Sequence, residues 1–131
     1  MTFLFQNLRV YQRALTFAER VSALTASFSR LHWYLRDQLN RASLSIALNI
    51  AESSGRVTAA DERRFLVMAR GSVHECVALM DMLERKKLLP DASRAELAEH
   101  LTVIAKMLSG MIARLNTTDS VREEFEQYDA E

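Results

Sequence analysis

Arg41, Ser45, Asn49 and Glu52 follow one another at spacings of four, four and three. On a helix this stacks a guanidinium, a hydroxyl, a carboxamide and a carboxylate in one narrow stripe. Such a stripe can be a solvated face, a hydrogen-bonded network that fixes helix register, or part of a reactive site. Its flanks lie in the uncharged run ASLSIALNIA at residues 42–51, and apolar flanks favour the partly buried network. Arg70, Ser72 and Glu75 are the polar residues expected to complete it from the next segment. Glu75 falls beside an apolar arc, where a basic partner such as Arg41 would lower its desolvation cost. Catalysis would need a nucleophile or a metal set beside these groups, and none accompanies them.

Other reactive types are thinly spread. The three histidines, His32, His74 and His100, have no Glu three residues before them, as a di-iron bundle requires. His74 and Glu75 begin a zincin-like string, but its second histidine position is Ala78. Three scattered glycines build no phosphate loop, so neither metal nor cofactor is expected. The lone Cys76 cannot form an internal disulfide and reads as a small core residue.

Basic clusters remain: Arg56, then Arg63 with Arg64, and Arg85, Lys86 and Lys87. Cations at a helix C-terminus stabilise its dipole, which is the structural reading. The functional one is phosphate contact, which grows in strength as copies of the chain multiply the charges.

Four helical segments must position these residues. The first, about Asn7 to Phe28, carries one apolar stripe of Val10, Ala14, Phe17, Val21, Leu24 and Phe28 and a second of Leu8, Tyr11, Leu15 and Ala18. Together they span nearly twice the roughly 100° arc a surface helix needs. One stripe is expected to face the core and the other a second copy of the chain. The second segment, about Trp33 to Ser53, is apolar almost all round and reads as buried.

Thr58 with Asp61 resembles a helix start. The third segment runs from there to about Lys87, with Phe65, Met68, Ala69, Ser72, Cys76, Leu79 and Leu83 inward. Mid-helix Gly71 costs about 1 kcal/mol relative to alanine, which suggests close approach by a neighbouring helix. Pro90 ends the third segment, and Ser93 with Glu96 reads as the next capping box. In the fourth segment Leu97, Leu101, Ile104, Leu108, Met111 and Leu115 repeat as a bundle seam. Short connections predict an all-α, antiparallel up-down-up-down four-helix bundle over residues 1–116.

Composition agrees. Among 131 residues, 49% are hydrophobic and 26% charged, with one proline and three glycines, too apolar for disorder and too poor in turn formers for a many-stranded sheet. Seventeen basic and 17 acidic residues cancel, which excludes the strongly basic balance of a dedicated nucleic-acid binder. Residues 1–118 hold 16 Lys and Arg against 11 acids, whereas residues 119–131 hold one Arg against six acids. Residues 117–131 are therefore expected to be an acidic, disordered tail. The opening residues carry no basic leader with a long apolar run and no membrane span is evident, so the chain is expected to be cytoplasmic.

QLNRASLSIALNIAESSGR at 38–56 and RRFLVMARGSVHE at 63–75 resemble the four-helix-bundle proteins first known as open reading frames in intervening sequences of bacterial 23S ribosomal RNA genes. The resemblance extends more weakly to residues 5–21 and 104–112. It rests on Arg41, Ser45, Asn49 and Glu52, then on Arg64, Phe65, Arg70, Gly71, Ser72 and Glu75. Ala47 stands where the family often has proline and Ser53 where it often has glycine, which should straighten the second helix and alter the turn before Gly55.

The resemblance implies an antiparallel bundle and, for members seen as assemblies, a pentameric ring. The related accessory protein of diversity-generating retroelements forms a basic pentamer associated with a reverse transcriptase and nucleic acid. By that analogy the expected function is a non-catalytic homo-oligomeric module, with RNA or DNA contacted through Arg56, Arg63, Arg64 and Arg85 to Lys87. A protein-interaction scaffold with no nucleic-acid role is the alternative, and an enzyme acting through Arg41, Asn49, Glu52 and Glu75 is a third reading.

Overall fold

The computed structural model describes the backbone of residues 2–130 and the side chains of residues 2–117; in the expected acidic tail at 117–131, the side chains beyond Thr117 lie outside the described residues. Four helices form: α1 (Arg9–Thr25), α2 (Trp33–Ser54), α3 (Ala59–Arg85) and α4 (Asp91–Ala130), with short 3-10 turns at Leu4–Asn7 and Arg30–His32. No strand occurs among the described residues. Each helix packs on its neighbours in sequence and α1 on α4, while among the described residues the backbones of the diagonal pairs stay farther apart. Arg13 reaches His100 and Arg20 reaches Glu96, so residue numbers rise along α1 as they fall along α4. The architecture is the antiparallel all-α bundle that the periodicity predicts.

The core is one cluster. Val10, Ala14, Phe17 and Val21 from α1 meet Leu39, Ile46 and Ile50 from α2, Leu66, Ala69, Cys76 and Leu83 from α3, and Leu97, Leu101, Ile104 and Leu108 from α4. Leu8, Tyr11 and Leu15 are half-buried and pack against this same core. Phe5 meets Tyr11 edge-on at 5.0 Å between centroids. The second stripe of α1 is thus largely spent inside its own bundle.

Three local expectations change. On α3 the inward face takes in Leu66, Val73 and Met80, while Met68 turns outward and is 47% exposed. The cause is that α3 packs on both α2 and α4, so its buried arc swings toward α4. Gly71 is exposed, and a Cβ there would meet nothing within 4 Å; the contact between helices falls instead at Ser72. Ser93 lies within the first turn of α4 rather than capping it. The helix already starts at Asp91, with the amide of Arg94 donating to the Pro90 carbonyl at 2.9 Å. Thr58 does cap α3, its hydroxyl accepting from the Asp61 amide at 3.1 Å. Helix α2 runs unbroken through Ala47, and the buried Ser53 hydroxyl donates to the Ile50 carbonyl.

Candidate functional site

Of the polar residues expected to form one network, the fold brings together three. The Ser45 and Ser72 hydroxyls meet at 2.9 Å across the α2/α3 seam, and the Asn49 carboxamide donates to Ser45 Oγ at 3.0 Å and to its carbonyl at 2.9 Å. Serine at both positions keeps the helices close and lets each hydroxyl satisfy the other, which locks the register of α2 on α3. Arg41 and Glu75 are exposed, with no ion pair between them. Glu52 turns away from the seam to pair with Arg56. Arg70 is half-buried and offers its carbonyl to His74. Every buried side-chain nitrogen or oxygen among the described residues has a partner, and no cluster there could hold a metal. The burial of Cys76, with the Glu75 charge adding to it, pushes the thiol up to about 12; it is a packed core group, far from a nucleophile.

The basic residues fall at two ends of α3. Arg64 and Arg85 are 21 positions apart, about 30 Å at 1.5 Å per residue. At the first end the cations are held by local partners. Arg56 pairs with Glu52 and lies 3.9 Å from Asp61, and Arg64 donates to Asp61 at 2.9 Å. Both guanidiniums stack on Phe65, at 4.2 and 4.6 Å from its ring centroid. Arg63 donates to Asn116 at 3.1 Å. Glu52 and Asp61 therefore meet Arg56 and Arg64, and part of the positive charge at this end is already spent within the chain.

At the other end Arg85, Lys86 and Lys87 are all exposed. The chain stops α3 there by a Schellman turn. Leu88 N–H bonds the Leu83 carbonyl at 2.9 Å and Lys87 N–H the Glu84 carbonyl at 3.0 Å. Lys87 occupies the left-handed position with φ of 59°, where glycine is the usual residue.

The residues of α1 expected to contact a second copy, Leu8, Tyr11, Leu15 and Ala18, are all half-buried within the single chain. Uncovered apolar surface lies elsewhere. Leu44 is 48% and Leu48 56% exposed on the outward side of α2, and Met68, Val77 and Met82 are each more than 40% exposed on α3. Between α3 and α4 runs a groove of about 450 Å³ floored by Val73, Val77, Leu101 and Ala105. A signal for the α2 ridge was present in the sequence: Asp37, Arg41, Leu44, Leu48 and Glu52 keep spacings of four, three, four and four, so both leucines share a stripe with charges.

No helix among the described residues is long and apolar enough to cross a membrane. The fold matches the crystal structure of a protein of unknown function from the S23 ribosomal protein family of Bacteroides thetaiotaomicron, with a TM-score of 0.73 and 23% identity over 79% of this chain and 97% of that one. No curated protein matches the chain. The family model described as 23S rRNA-intervening sequence protein matches residues 6–110, a span that takes in the serine seam, both ends of α3 and most of the bundle, and the chain belongs to that family.

Proposed function

We propose that the chain is a non-catalytic, self-assembling accessory module whose copies form a closed ring, a pentamer by the resemblance above. The supporting observation is the apolar surface that folding leaves uncovered on α2 and α3, Trp33, Leu44 and Leu48 included. Contiguous exposed apolar side chains on a small bundle favour association, since each square ångström removed from water is worth about 25 cal/mol. The hydrogen bonds that Ser45, Asn49 and Ser72 spend on one another fit a structural role for the seam.

What the ring carries is nucleic acid in the first reading. The supporting observation is the exposed run Arg85, Lys86 and Lys87, with Lys87 a cation at a left-handed position where glycine would be less strained. Repeated around a ring, Arg85, Lys86 and Lys87 would give a circle of phosphate contacts, and polyanion affinity rises with the number of charges engaged. The alternative cargo is a protein, favoured by the pairing of Arg56 and Arg64 with local carboxylates.

The deciding experiment measures retention of labelled single-stranded RNA and duplex DNA by nuclease-treated protein as salt rises. Nucleic-acid association predicts binding at low salt that falls steeply with salt and is weakened in an Arg85→Gln, Lys86→Gln, Lys87→Gln variant. No binding at low salt rejects that cargo, and co-purification of one defined protein, unaffected by nuclease, favours the scaffold.

A further inference from the structure

We infer that the subunit contact is head to tail: the Leu44 and Leu48 ridge of α2 in one copy seats in the α3/α4 groove of the next. This rests on the assembly proposed above and names its two surfaces. Along the outward side of α2 the order is Arg41, Leu44, Leu48, Glu52, a cation, two exposed leucines and an anion. The groove has the matching order. Asp81 and Glu84, with Arg94, line one end, Val77 and Leu101 lie at its middle, and Lys106 lines the other end, with Arg70 one turn before the lining residue His74.

The spacing agrees as well as the sign. Arg41 and Glu52 are 11 positions apart, as are Arg70 and Asp81, and each pair spans about 16 Å at 1.5 Å per residue. Glu84 is already met by Arg94 at 3.3 Å and Glu52 by Arg56 of its own chain, which makes Arg41 and Asp81 the opposite charges that would approach each other across the contact. Leucines at positions 44 and 48 then fall over Val77 and its neighbours, and both partners lose apolar surface to water.

Direction also fits. Placing Arg41 against Asp81, with the Glu52–Arg56 pair toward the Arg70 end, requires α2 of one copy to run antiparallel to α3 of the other. Within one chain these helices are already antiparallel, so copies related by rotation about an axis along the bundle meet the requirement without being inverted. Ridge and groove are different surfaces, so each copy offers both, and repetition of the contact closes when the rotation divides a full turn.

The contact is tested by sedimentation velocity of the full chain and of Arg41→Asp, Asp81→Arg and the double variant, with circular dichroism as a check of the fold. Both residues are exposed, so the single variants should fold normally. The expected result is a multi-subunit wild type, single variants that need at least tenfold more protein to assemble, and a double variant that assembles like the wild type. A wild type that assembles while the single variants assemble equally well, or a double variant no better than the singles, overturns this choice of surfaces and leaves the assembly standing. A wild type with one subunit at every concentration overturns both.

Discussion

At the scale of single residues, Lys87 and Cys76 carry the clearest consequences. A non-glycine residue in the left-handed region costs about 1 kcal/mol, so Lys87→Gly should raise the unfolding free energy by about that amount while weakening retention of a polyanion. Chemical denaturation beside a binding titration checks both; unchanged stability would mean that the turn carries no strain. Cys76 gives a pH dependence of fixed sign. Its thiol is held up to about 12 when folded against 9.0 when free, so above pH 9 the unfolded chain loses a proton that the folded one keeps. Its contribution is intact below pH 9 and is lost progressively between pH 9 and about 12. Denaturation at pH 8 and at pH 10.5 should show a smaller loss for Cys76→Ala than for the wild type. Equal losses would show that another group dominates. The same burial predicts negligible alkylation of the folded protein at pH 8.

Among the elements, α2 separates core from surface most sharply. Ile46 is fully buried and Leu48 is 56% exposed, two positions apart. In a single subunit, Ile46→Ala should cost about 2–5 kcal/mol and Leu48→Ala no more than about 0.5 kcal/mol. Similar costs measured by denaturation below the assembly concentration would contradict the placement of the ridge. The four helices were legible because proline, the Thr58 cap and an apolar repeat mark them in the chain, and the α4 seam of Leu97, Leu101, Ile104 and Leu108 is buried as its spacing predicts. The rotation of α3 was not legible. Apolar residues occur around much of its circumference, so periodicity could not choose between Met68 and Leu66; packing on both α2 and α4 made the choice. The serine seam was half legible: spacing aligned Ser45 with Asn49, but only the fold shows Ser72 meeting them while Arg41 and Glu75 stay outside.

For the whole molecule, net neutrality and the division of the basic residues between two ends of α3 make one copy a weak partner for a polyanion. Assembly changes that arithmetic by repeating the Arg85 to Lys87 cluster, and it also covers the leucines that folding leaves in water. The claim on which both depend is that the bundle does not remain alone in solution. Native mass spectrometry of the nuclease-treated chain at low micromolar concentration tests it most directly. The expected mass is a discrete multiple of the 15.0 kDa subunit, five copies if the ring is pentameric, with no nucleic acid needed to hold it. A 15.0 kDa species that persists as the concentration is raised a hundredfold would contradict it.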